Sequence, residues 1–428
     1  MTSLAKQELA GLTESQKKFH TTSGLDDSIR SLFHYSKEKT TWSSKTIAPV
    51  ETTKDSLATS FKFDTSYDFL LSSTLRITIP QISVKNEHTG KVQICWTPNL
   101  GTNVTPKIDF VMVDNDKKFS LDTFSLDHYF QFMDKRPERI IQKSLGNIKQ
   151  LIDWSEKLPR EIINIPQPFF YSQDSCLAFP LSEFPSGSIK QRYTFRRKIT
   201  ELLRMRKMTT EGTWDEVAVD LACLDLAKKT KIPTPELRAE YRFCSDEERK
   251  NRKCKSEHVY NVRDIFICDA ETASVAGGKS SVVLECDLPC SFFTWSLENM
   301  SVKGNNFSNY TTNKGDSREG SNPCVKNSFY YGTLEKFNDL PHDHFSFTEP
   351  SNHAPSIPFL PGYNCYSNAH KMDNLDTDSV IIYKPLGAKL NVETSGEEKD
   401  VKYLLKARLF VIRELKITTG EHVEVEIS

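Results

Sequence analysis

The chain has 428 residues, with 56 basic against 57 acidic side chains and a net charge of -1. That length exceeds one ordinary hydrophobic core and suits two domains, while near-neutrality leaves no global field to hold nucleic acid or an anionic membrane. Aliphatic and aromatic residues make up only 37% of the chain, yet 26 Phe and 14 Tyr predict an aromatic-rich core.

The opening stretch MTSLAKQELAGLTESQKKF lacks the apolar segment of a signal peptide, and no run of about 18 apolar residues follows, so no membrane span is predicted. The chain is expected to be made and kept in the cytosol. Ten Cys are too dilute and irregular for a disulfide scaffold and read as free thiols. Sequons at Asn103, Asn299, Asn306 and Asn309 read as ordinary polar loops and turns.

Residues 4–19 carry a helical pattern at the end of an N-terminal arm, residues 1–25. Strand signals then dominate: TLRITIP alternates from Leu75 to Ile79 and stops at Pro80, and KIDFVMV, SSVVLECDL, DSVIIY, ARLFVIREL and HVEVEI behave alike. Helical pattern returns only at residues 139–158 and in parts of 199–229. Many short strands without alternating long helices predict an all-β protein of sandwiches or barrels, with a few inserted and terminal helices. The charged tract SDEERKNRKCKSEH lies near mid-chain, where a linker would fall, so the expected division is 26–250, a linker at 251–262, and 263–428. The polar tract NYTTNKGDSREGSNP, residues 309–323, reads as an exposed loop. The basic stretch RYTFRRKITELLRMRK reads as a solvated face, with no specific nucleic acid.

The segment IPQPFFYSQDSCLAFPLSEFP, residues 165–185, concentrates four prolines and four phenylalanines around a polar centre. Ser175 lacks the flanking glycines of a nucleophile elbow and Cys176 has no nominated His partner. Pro166 and Pro168 restrain the approach, Phe169 to Tyr171 form a β-favouring run, and CLAFPL reads as a second strand ending at Pro180. Asp174 and Ser175 then become turn residues. Elsewhere, GGKSS lacks the earlier glycine of a phosphate loop and is followed by a β pattern, so a turn explains its glycines. His342 and His344 would share a face on a strand, but no diagnostic carboxylate or Cys accompanies them, and Cys286 and Cys290 lack zinc-site spacing. No catalytic residue, metal or cofactor is expected.

The 165–185 segment with its continuation PSGSIKQRYTFR resembles a signature region of the major capsid proteins of nucleocytoplasmic large DNA viruses, of the iridovirus and marseillevirus type. CWTPNLGTNVTPKIDFVMVDNDKKFSLDTFSLDHYFQFMDKR, LRAEYRFCSDEERKNR, LPCSFFTWSLEN, SNYTT, HAPSIPFLPGYNCYSNAH and ARLFVIRELKITTGEHVEVEI are similar to further family motifs in the same order. The resemblance runs from about residue 60 to the C-terminus. After His370 the family's Gly-Thr and Asn-Phe-Ser elements are missing, and its glycine-rich end is replaced by TTGEHVEVEIS.

The resemblance implies a double jelly roll, two eight-stranded antiparallel β-sandwiches side by side. It implies a homotrimer with a pseudo-hexagonal outline, tiling an icosahedral capsid beside minor capsid and penton proteins, with assembly in the host cytoplasm. The N-terminal arm would contact an inner membrane or minor proteins. Its key residues are structural: Pro166, Pro168, Phe169, Phe170, Asp174, Pro180 and Pro185 in the first jelly roll, and Trp295, Tyr310, Gly362 and Tyr363 in the second. Two alternatives remain, a transient assembly scaffold on the same double jelly roll, absent from the mature virion, and a carbohydrate-binding or hydrolytic jelly roll.

Overall fold

The computed structural model describes residues 41–47, 51–52, 58–173, 177–226, 231–244, 257–373, 380–384, 387–398, 400–419 and 423–427. The expected helix at 4–19, the turn residues Asp174 and Ser175, and Cys176 lie outside them.

Two antiparallel sandwiches account for most of the described strands. In the first, one sheet runs in the order Thr41–Ile47, Glu236–Phe243, Phe69–Ile79, Glu161–Pro166, with Phe179–Pro180 also paired to Phe69–Ile79. The opposing sheet runs Glu51–Thr52, Ala58–Lys62, Lys190–Thr194, Lys107–Met112, Asp114–Asp122. In the second, Glu257–Asp269, Lys402–Thr418, Cys290–Asn299 and Asn364–Ser367 face a sheet of Lys279–Val283, Ala388–Thr394, Cys324–Tyr331 and Leu334–Pro341.

Period-two alternation builds these sheets. Leu75, Ile77 and Ile79 are fully buried while Arg76 between them points out, and Pro80, which cannot extend the ladder, ends the strand. Inside the first sandwich the Phe110 ring is met by Phe169, Phe170, Tyr171 and Phe179, with ring centroids 5.0 to 6.1 Å away. The second core centres on Trp295, packed on Phe293 and Phe345. The 17-residue strand Lys402–Thr418 serves both cores: Leu405, Leu409 and Val411 join the second, whereas Leu415 and Ile417 join the first with Tyr260 and Val262.

Several expectations are corrected. Phe169 to Tyr171 is not a strand: Phe169 is extended and Phe170–Ser172 forms a 3-10 turn, because packing three large rings around Phe110 outweighs their β-propensity. Residues 380–383 of DSVIIY make a single bridge, Ile381 to Cys290, and no strand. The helical pattern at 139–158 splits into Glu138–Leu145 and Lys149–Ile152 at Gly146, whose φ of 79° suits glycine. The helix Thr123–Phe132, capped by Asp122 accepting from the Ser125 amide at 2.7 Å, was not anticipated. His342 and His344 lie in a helical segment, where two residues apart means nearly opposite faces. The GGK glycines do form a turn, Gly278 N–H donating to the Val275 carbonyl at 3.0 Å.

Val113 joins two strands in a left-handed conformation, φ 53°, at a register shift. A β-branched side chain is disfavoured there by about 1 to 2 kcal/mol. Val113→Asn is therefore expected to stabilise the protein by about 1 kcal/mol, read as a higher urea midpoint; an unchanged or lower midpoint contradicts the strain.

Candidate functional site at the junction of the two sandwiches

The sandwiches meet across an apolar layer in which Phe124, Phe132 and Met133 pack against Phe292, Tyr310, Tyr363, Cys365, Met372 and Phe410. The helix Thr123–Phe132 supplies the first side. Every residue from Phe124 to Gln131 except Tyr129 is buried, polar ones included, and the buried polar groups need partners from the other sandwich.

Arg408 provides the main ionic contact. It is 1% exposed, and its guanidinium donates to Asp122 Oδ2 at 2.7 Å across the junction and to Asp269 Oδ1 at 2.6 Å on its own side. It also lies 4.6 Å from the centre of the Phe124 ring. Burial pushes the Asp122 carboxyl up, but the charge and hydrogen bonds of Arg408, with Ser125, outweigh it and hold the group below the usual carboxylate value.

One helical turn on, Asp127 and His128 are fully buried. Asp127 accepts from Thr102 Oγ1 at 2.6 Å and from Tyr310 OH at 3.1 Å. Burial raises its pKa to about 6 against the opposing hydrogen bonds of Ser308, Thr102, Asn99 and Tyr310. His128 stacks on Phe124, with centroids 4.1 Å apart, and its Nε2 lies 3.0 Å from Ser296 Oγ. Burial, with help from Arg408, keeps its pKa well below the ordinary value, so the ring is neutral.

Residues 300–323 tie the halves further, and the loop at 309–323 is exposed only in part: 318, 319 and 321 face solvent, while 309–312 and 322–323 are buried. Asn309, Tyr310 and Thr311 are buried. Asn305 Nδ2 donates to the Thr200 and Leu203 carbonyls at 2.7 Å, and Arg318 pairs with Asp153 at 2.8 Å. The basic stretch on the first sandwich is largely used in this contact or locally: Arg204 is buried on Glu216 and donates to the Gly315 carbonyl, and Arg196 covers the Phe307 ring at 4.0 Å. All four sequon asparagines are buried with their Nδ2 groups donating to protein acceptors, so none presents a glycan-accepting amide in the folded chain.

The residues singled out from sequence fall into three places. Pro168, Phe169, Phe170 and Pro180 are buried in the first sandwich; Pro166 is half-buried at a strand end, and Pro185 is exposed in a turn closed by Ser188. Trp295 sits in the second core, its Nε1 donating to Asn327 Oδ1 at 3.0 Å. Tyr310, Gly362 and Tyr363 come together at the junction, the two tyrosine rings meeting edge to face at 5.2 Å. Gly362 has φ 94°, and any Cβ there would overlap the Tyr310 carbonyl, so the close approach needs glycine. Sequence reasoning missed Asp122, Asp127, His128 and Arg408. A signal existed: "DTFSLDHYF" places charged residues inside an apolar helical pattern, and Arg408 interrupts the apolar run of its strand.

Among the described residues no group of three or more His, Cys, Asp or Glu is placed to hold a metal, and no helix is long and apolar enough to cross a membrane. The junction's chemistry is that of a lock.

Comparison with known proteins supplies the family. Residues 31–243 match the family described as "Major capsid protein N-terminus". The major capsid protein of Rana tigrina ranavirus is 27% identical, covering 78% of this chain and 75% of its own length. That of Invertebrate iridescent virus 6 is 25% identical over 72% and 70%, and that of Wiseana iridescent virus 23% identical over 79% and 73%. Among solved structures, PBCV-1 VP54, fitted into a reconstruction of the virophage Sputnik, matches with a TM-score of 0.69 at 13% identity, covering 92% of this chain and 98% of that one. The Faustovirus major capsid protein matches with 0.67 at 9% identity, over 89% and 91%. The structural likenesses give the fold, a double jelly roll. With relatives aligned through both of its sandwiches, the chain belongs to the major capsid protein family of nucleocytoplasmic large DNA viruses.

Proposed function

We propose that this major capsid protein is the repeating block of an icosahedral shell, three copies joining as a pseudo-hexagonal capsomer that packs against its neighbours. The observation that carries this reading is the junction: a buried ion pair, a hydrogen-bond network and a shared apolar layer lock two sandwiches of one chain side by side. Three double blocks place six sandwiches around one axis. Rigidity suits tiling, because preorganised surfaces lose less entropy on association and weak lateral contacts can then add up.

On this reading the chain is a building block and carries out no catalysis, and the roles of Pro166, Pro168, Phe169, Phe170, Asp174, Pro180, Pro185, Trp295, Tyr310, Gly362 and Tyr363 are structural. The units are taken as 26–250 and 263–428, joined at 251–262; residues 257–262 of that connection already form the start of the strand Glu257–Asp269. The arm at 1–25 is assigned to an inner membrane or minor proteins, the capsomers stand beside minor capsid and penton proteins, and assembly takes place in the host cytoplasm. Sedimentation and electron microscopy of the purified chain should give trimers of pseudo-hexagonal outline; a monomer that persists at micromolar concentration would sink the proposal. Copy number in purified virions separates a shell subunit, present in bulk, from a scaffold, which would be absent.

A further inference from the structure

The helix Thr123–Phe132 brings Asp127 and His128 side by side into the junction, and their surroundings differ in what each can do with an added proton. Asp127 is ringed by the hydroxyls of Thr102, Tyr310 and Ser308 and the amide of Asn99. A hydroxyl that donates to a carboxylate can rotate to accept from a carboxylic acid, so the ring serves either form.

His128 has no such reserve. Ser296 Oγ gives its one hydrogen to the Gly362 carbonyl at 2.6 Å and therefore accepts from His128 Nε2–H at 3.0 Å. His128 Nδ1 has no hydrogen-bond partner among the described residues. A proton added there would be a buried charge without an acceptor, close to the Arg408 guanidinium that shares the Phe124 ring. The other charged or titratable groups facing the pair are Asp122 and Asp269 on Arg408, Tyr310 and Tyr363, and the Lys406–Glu298 ion pair beside Phe124 and Tyr310. Tyr129 follows on the helix itself.

We propose that Asp127 and His128 form a compensated pair: on mild acidification the closed junction takes its proton on Asp127 while His128 stays neutral, so the lock keeps its strength where a buried histidine alone would release it. The signs follow from linkage. Asp127, raised from 3.8 to about 6 by burial, favours the closed form increasingly as pH falls through that window, and its benefit is lost as pH rises through about 6. His128, held well below 6.5, contributes fully above 6.5 and loses that contribution as pH falls below it. Over the shared window each group contributes a slope of about one proton, and the slopes are opposite.

The test is the urea unfolding equilibrium of the full-length chain between about pH 6 and pH 4, comparing variants with wild type so that all other carboxyls cancel. Relative to wild type, Asp127→Asn should lose about tenfold in folding constant per pH unit of acidification, and His128→Gln should gain about tenfold. Profiles parallel to wild type for either variant overturn the pair. His128→Gln keeps a donor for Ser296 and decides the matter alone if Asp127→Asn fails to fold, since Asp127 must then still show its own slope.

Discussion

Replacing Arg408 by alanine is expected to cost roughly 3 kcal/mol or more of unfolding free energy, the scale for removing one partner of a buried ion pair. The loss exceeds that of two hydrogen bonds because Asp122 and Asp269 would be left facing an emptied site without their cation. Both carboxylates keep about a third of their surface in water, so the cost should fall at the lower end of the range. Arg408→Lys restores the charge without the planar fork that reaches two carboxylates, and should recover only part of the loss. Urea midpoints of the three proteins check this; a wild-type midpoint for Arg408→Ala would mean that the clamp contributes nothing to the junction.

Trp295→Ala is expected to cost roughly 3 to 5 kcal/mol. Its side chain is fully buried, touches the rings of Phe293 and Phe345, and donates to Asn327, so the truncation opens a large cavity and orphans a buried amide oxygen. Trp295→Phe keeps most of the volume and should lose less. Calorimetry of both variants decides it, and an alanine variant that melts like wild type would remove Trp295 from the core.

Elements with local causes were legible. The alternation ending at Pro80 and the aromatic supply of residues 169–179 each follow from a few neighbouring residues, whereas Trp295 was marked by the family resemblance. The junction was not, because its contacts join distant positions: Arg408 meets Asp122 across 286 residues and Tyr310 meets Asp127 across 183. No pattern within a window of sequence encodes such a pairing. The segment 309–323 misled for a related reason: its composition is that of a solvated loop, yet its Asn309 amide and Thr311 hydroxyl donate within the segment, its Tyr310 hydroxyl donates to Asp127 and its Gly315 carbonyl accepts from Arg204, both of the other sandwich. Phe170 illustrates a third kind of miss, in which ring packing overrides local backbone preference.

The strand Lys402–Thr418 has a consequence for how the chain reaches its native state. Leu415, Ile417 and, beyond it, Val425 complete the core of the first sandwich, although they are made more than 150 residues after Phe243 ends that sandwich's last early strand. During synthesis the first sandwich therefore waits with an unfinished apolar edge until residues 415–425 emerge. Such sequence-distant closure slows folding and makes it cooperative over the whole chain. A chain cut before residue 415 is thus left with exposed core, and only one that carries these residues offers a finished first sandwich to a growing assembly.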